Sequence, residues 1–213
     1  AKLGRVRYAD AARYFVDAGY VVAVPVRLGY GATGGPDVEQ VPDCQQRAYI
    51  PGFDLAARPV RQVIRSLQQR SDVRKDQVVV VGQSYGGAAT LALGAQTVPG
   101  VRALINFAGG GGGNPDTHPG RPCNAPRLEH SFAHYGSRTQ LPSLWLYSAN
   151  DLFWGPTLPQ QWAQAYNSAG GQAQFVGLPA DGNNGHGLFV RSPQKWQPVV
   201  QQFLRSHGLL EQR

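Results

Sequence analysis

The segment Gln77–Gly82 is a continuous apolar run that passes without a linker into Gly82-Gln83-Ser84-Tyr85-Gly86-Gly87 and then into Ala88-Ala89-Thr90-Leu91-Ala92-Leu93. An uninterrupted Val run fits a parallel strand covered on both faces. The residues after it fit a helix that starts with no room for a conventional loop. A strand, a sharp turn centred on Ser84 and a helix starting there predict a layered α/β architecture with Ser84 at the carboxyl end of a strand. Gly82 and Gly86 are read as relieving clashes at the turn, and Gly87, Ala88 and Ala89 as letting the helix lie close to the sheet.

The rest of the chain repeats this alternation. A helix over Tyr8–Ala18 and a strand over Tyr20–Val26 lead to a Gly-rich loop, Leu28–Pro36. A helix over 57–70 follows, with Val60, Val63, Ile64 and Leu67 at helical spacing. Strands are expected at Val101–Phe107, Ser143–Tyr147 and Gln172–Leu178, and a helix at about Leu158–Ala169. A last helix presents Trp196, Val199, Val200, Phe203 and Leu204 to the core. Such alternation implies a mainly parallel sheet flanked by helices in three layers. The 213 residues suit one domain. Residues 108–127 are read as an irregular, lid-like excursion holding Gly109–Gly113, four prolines and Cys123.

Composition narrows the function classes. Hydrophobic residues make up 42% and charged residues 15% of the chain, as in a globular protein. The net charge of +7 comes from scattered Arg rather than a basic run with aromatics, which argues against nucleic-acid binding. The apolar runs are far shorter than the roughly 20 residues of a membrane span. Cys44 and Cys123 lie in Pro- and Gly-rich loops without zinc-ligand spacing, so no metal or other cofactor is expected. A disulfide between them is the favoured reading, with two separate thiols as the alternative. A disulfide would place the protein in the periplasm or outside the cell.

A serine hydroxyl becomes a nucleophile when a base removes its proton and a third group orients that base. In this architecture the acid and then the His should follow the Ser, each just beyond a strand. Asp151 follows Ser148-Ala149-Asn150, and His186 lies in Asp181-Gly182-Asn183-Asn184-Gly185-His186-Gly187. Asp181 is the rival acid. His118, His130 and His134 precede Asp151, and His207 sits near the end of the last helix. The Tyr85 N–H, the first after the nucleophile, is placed to donate to an oxyanion.

With these motifs in order, the chain resembles the dienelactone-hydrolase-like branch of the α/β-hydrolase superfamily over nearly its whole length. The resemblance implies a Ser84–His186–Asp151 triad acting on a small-molecule ester. Dienelactone hydrolases proper use Cys where this chain has Ser84, so a general carboxylic esterase is expected rather than a lactonase. Peptidase, lipase and polyester hydrolase activities of the same fold, or a non-catalytic binding protein, are the alternatives. In that superfamily a strand ending in a His-Gly-type loop precedes the first helix and supplies a second oxyanion N–H. It has no counterpart here, and the chain contains no Met, so a missing N-terminal segment is expected.

Pocket-shaping candidates are Arg27, as a carboxylate binder or a partner of a structural carboxylate, and Tyr30, as a donor to a carbonyl oxygen. Gly29, Gly31, Gly34 and Gly35 surround them. Phe153 and Trp154 follow Asp151, facing substrate or filling the core.

Overall fold

The computed structural model describes residues 8–39 and 43–211. Four parallel strands form one sheet in the order β1 (Val78–Gln83), β2 (Val101–Phe107), β3 (Pro142–Ser148) and β4 (Gln172–Leu178). Each is followed by a helix or helical loop on its way to the next, so all four carboxyl ends share one edge. The helices are α1 (Ala9–Asp17), α2 (Tyr49–Leu67), α3 (Tyr85–Gly94), α4 (Ala125–Gly136), α5 (Leu158–Ser168), α6 (Leu188–Arg191) and α7 (Pro193–Ser206). None is long and apolar enough to cross a membrane.

Alternation along β2 and β3 sends side chains into two cores. Leu104, Trp145 and Tyr147 join α2, α3, α4 and α5, with Phe53, Leu91, Phe132 and Trp162 fully buried among them. Ala103, Ile105, Phe107, Leu144 and Leu146 join α1, α6 and α7 around Trp196. Helices on both faces explain the uninterrupted Val run of β1 and the buried β2 and β3. Trp196 also donates its indole N–H to the Phe189 carbonyl at 3.1 Å, so its polar atom is satisfied where it is buried.

Three expectations need correction. Tyr20–Val26 joins no ladder: Tyr20 and Val22 pack on the α1–α7 core, while Val21 and Val24 are exposed. A β-branched run becomes a strand only when a neighbour takes its backbone hydrogen bonds, and among the described residues β1 pairs on one side only. Helix α2 begins at Tyr49, ahead of the expected 57, because Pro51 falls in the first turn, where no helical N–H is required. Residues 108–127 are irregular only as far as Asn124, where α4 starts. Asn124 caps that helix in the left-handed region (φ 47°), Pro126 stands in its first turn, and Leu128, Phe132 and Tyr135 face the core.

Cys44 and Cys123 form a disulfide across a separation of 79 residues, tying the loop before α2 to the loop after β2. Closing so large a loop restricts the unfolded chain by about 4–5 kcal/mol in the chain-entropy treatment. Reduction should therefore lower the unfolding free energy by about 2–5 kcal/mol in urea titrations with and without reductant.

Candidate active site

Ser84 sits between β1 and α3 at φ 56° and ψ −125°, in the left-handed region that non-glycine residues avoid. Backbone bonds hold it there. Its N–H donates to the Phe107 carbonyl at 2.9 Å, and its carbonyl accepts from Gly87 at 2.9 Å, Gly110 at 3.1 Å and Ala88 at 3.2 Å. A Cβ on Gly82 would collide with the Gly86 carbonyl, and one on Gly87 with Asn106 and Gly109. Gly86, by contrast, has open space where a Cβ would stand, so only the first of the two flanking glycines relieves a clash.

The turn lifts the Ser84 hydroxyl toward the loops after β3 and β4. His186 Nε2 lies 2.9 Å from Ser84 Oγ, and His186 Nδ1 lies 3.0 and 3.2 Å from the two oxygens of Asp151. The Asp151 carboxylate is fully buried and accepts the Phe153 N–H at 2.8 Å. With Nδ1–H directed at a carboxylate, Nε2 presents its lone pair to the serine hydroxyl. Phe153 stacks on the imidazole at 3.9 Å between centroids, and Trp154 meets it edge-on at 5.5 Å. Gln83, the residue before Ser84, donates to the His186 carbonyl at 3.0 Å, a support that the strand–turn–helix pattern does not signal.

Asp181 is held elsewhere. It accepts from Ser192 at 2.6 Å and Lys195 at 3.0 Å, and the Ser192 hydroxyl, followed by the Lys195 and Arg191 charges, keeps its carboxyl below the ordinary value. The Tyr85 N–H opens α3, where the first helical N–H groups have no intrahelical acceptor. The Tyr85 side chain is core, packed on Phe53 with its hydroxyl donating to Val38 at 3.1 Å, and burial raises its pKa.

Above Ser84 opens a cavity of about 740 Å³. Gly110–Gly113, Phe153, Trp154, Arg47 and the Cys44–Cys123 bridge line it, with Gly112 lying directly against Cys123 and Arg47. His118 and Arg121 line it from the excursion after β2. Three of these were not singled out from sequence: Arg47, His118 and Arg121 reach the cavity only through tertiary folding. Arg27 and Tyr30 do not line it. Arg27 pairs with Glu39 and lies 4.8 Å over the Tyr30 ring, and Tyr30 donates to Glu39 at 3.2 Å. Burial, then the Glu39 charge, push the Tyr30 hydroxyl up to about 12. Trp154 lines the cavity while 1% exposed, its indole N–H donating to the Ala108 carbonyl at 2.8 Å. Among the described residues no three His, Cys, Asp or Glu side chains gather as metal ligands would.

The family model described as serine aminopeptidase, S33, matches residues 5–151. The chain belongs to this family of α/β-hydrolases. No curated protein matches the sequence. Among solved structures, an esterase of Pyrococcus furiosus is similar, with a TM-score of 0.65 at 13% identity, covering 94% of this chain and 76% of that one. A meta-cleavage product hydrolase aligns with a TM-score of 0.58 at 11% identity over 94% and 87% of the two chains. A dienelactone-hydrolase-like protein of Klebsiella pneumoniae aligns with a TM-score of 0.50 at 14% identity over 77% and 68%. These likenesses are of fold, and the family makes the chain a hydrolase.

The turn predicts a contrast between its two glycines. Gly82→Ala must displace backbone and should cost more than about 2 kcal/mol, whereas Gly86→Ala should change stability by less than about 1 kcal/mol. Chemical denaturation of both variants checks this.

Proposed function

We propose that the protein is a serine hydrolase that cleaves a carboxylic ester through an acyl-enzyme. The observation that carries this reading is the continuous hydrogen-bonded chain from Ser84 through His186 to a buried Asp151, opening on a cavity. Ser84 Oγ attacks the acyl carbon as His186 Nε2 takes its proton. The protonated imidazole then gives that proton to the leaving alcohol. Asp151 fixes the tautomer and stabilises the imidazolium. The Tyr85 N–H donates to the oxyanion, aided by its place at the positive end of α3. Water, deprotonated by His186, releases the acid and restores Ser84. No cofactor takes part in these steps.

The cavity volume lies within the range of about 300–1,000 Å³ usual for small-molecule sites, which favours a small ester over a polymer film or a long peptide. The family's description as aminopeptidases keeps amide hydrolysis as the second reading. The disulfide favours a periplasmic or secreted location, where oxidising conditions preserve it. A non-catalytic binding role would not require the aligned triad.

A panel of p-nitrophenyl esters of rising chain length, beside an aminoacyl p-nitroanilide, tests the reading. Short esters should turn over faster than the anilide, and Ser84→Ala or His186→Ala should lower kcat by on the order of 10⁵-fold or more. Turnover that survives in Ser84→Ala would refute the assignment.

A further inference from the structure

Two asparagines lie beside the triad without touching the reacting atoms. Asn150 immediately precedes Asp151, and Asn184 stands two residues before His186. The Asn184 side-chain oxygen accepts two backbone N–H groups, from Leu152 at 3.1 Å and from His186 itself at 3.1 Å. One amide oxygen thus holds the residue after the acid and the backbone of the base. Asn150 makes the reciprocal contacts. Its side-chain oxygen accepts the Asp181 N–H at 2.9 Å, its side-chain nitrogen donates to the Gly182 carbonyl at 2.8 Å, and its carbonyl accepts the Gly185 N–H at 3.1 Å.

The contacts extend the tie between the two loops beyond the last bonds of the strand ends, from the Ala149 N–H to the Leu178 carbonyl at 2.9 Å and from the Ser148 hydroxyl to the Pro179 carbonyl at 2.8 Å. Strands β3 and β4 pair up to Ser148 and Leu178, and Asp151 and His186 lie beyond those ends. Gly185 permits the approach, because a Cβ there would run into the Ser148 side chain and the Asn150 oxygen. The far side of the His loop is anchored through Asp181 to Ser192 and Lys195 beside and within α7. Loop residues carry catalytic groups accurately only where second contacts fix them, and errors near 1 Å cost about 100-fold in rate.

We propose that Asn150 and Asn184 are positioning residues, whose reciprocal side-chain-to-backbone bonds set the Asp151–His186 distance and aim the imidazole at Ser84. This rests on the ester-hydrolase reading above. The bonds stay formed whether His186 is neutral or protonated, so the clamp holds the base through both proton transfers. It acts on the chemical step rather than on the cavity, which neither asparagine lines.

The test compares wild type with Asn184→Leu, which keeps the shape and removes the acceptor, and Asn184→Asp, which keeps an acceptor oxygen. Steady-state hydrolysis of p-nitrophenyl acetate supplies kcat and KM, and thermal melting confirms folding. Asn184→Leu should lower kcat roughly 10- to 100-fold with KM within about twofold, and Asn184→Asp should recover most of the loss. Wild-type kcat in a folded Asn184→Leu, or an equal loss in Asn184→Asp, would overturn the positioning role and leave the ester-hydrolase reading standing. A wild-type protein that neither turns over the ester nor reacts with a fluorophosphonate overturns both. If Asn184→Leu does not fold, Asn150→Leu decides, since it removes the reciprocal side-chain bonds to Asp181 and Gly182 with Asn184 retained. A fall in kcat at constant KM supports the clamp, and wild-type kcat rejects it.

Discussion

A serine at φ 56° is costly, by about 1–3 kcal/mol for a residue with a Cβ, and persists only where its surroundings leave no alternative. Here the surroundings are the sheet itself. The Ser84 N–H is taken by β2 through the Phe107 carbonyl, and the Ser84 carbonyl accepts from the first turn of α3 and from Gly110. Gly82 lets the Gly86 carbonyl come against β1, and Gly87 lets α3 come down onto Asn106. The strained turn is therefore where strand pairing, helix packing and the glycine run after β2 all meet. The hydroxyl it presents is exposed to the cavity while its backbone is locked into the core.

Parallel strands do the rest of the assembly. Because β1, β2, β3 and β4 run the same way, the nucleophile, the glycine wall, the acid and the base all emerge at one edge of the sheet. The acid is buried and hydrogen-bonded, and the base is stacked by Phe153 on one face and met edge-on by Trp154. The disulfide adds a covalent tie between two loops that wall this space and that share no strand.

The parts legible in sequence were those encoded by local pattern. Strands β1 to β4 lie within one residue of their expected bounds, because each is a short run of strand-forming residues flanked by turn or helix signals. Asp151 and His186 were found by their order after those strands, and the structure brings both to hydrogen-bond distance. What escaped depends on tertiary context. Tyr20–Val26 has strand composition but no hydrogen-bonded neighbour among the described residues. Helix α4 hides behind a glycine and proline run whose last residues, Asn124 and Pro126, are in fact its start signals. Of the two readings open for Arg27, the structure has the partner of a carboxylate, and which carboxylate, Glu39 twelve residues on, depends on the path of the loop between them. Arg47 and Arg121 reach the cavity from loops whose paths no periodicity describes.

The central claim is that Ser84 becomes acylated during turnover. Rapid-quench mass spectrometry after mixing with p-nitrophenyl acetate measures this directly. The account predicts a burst of p-nitrophenolate matched by an acetyl group on the peptide that contains Ser84, absent from Ser84→Ala. Turnover without that adduct, or with the acetyl group on another residue, would contradict it.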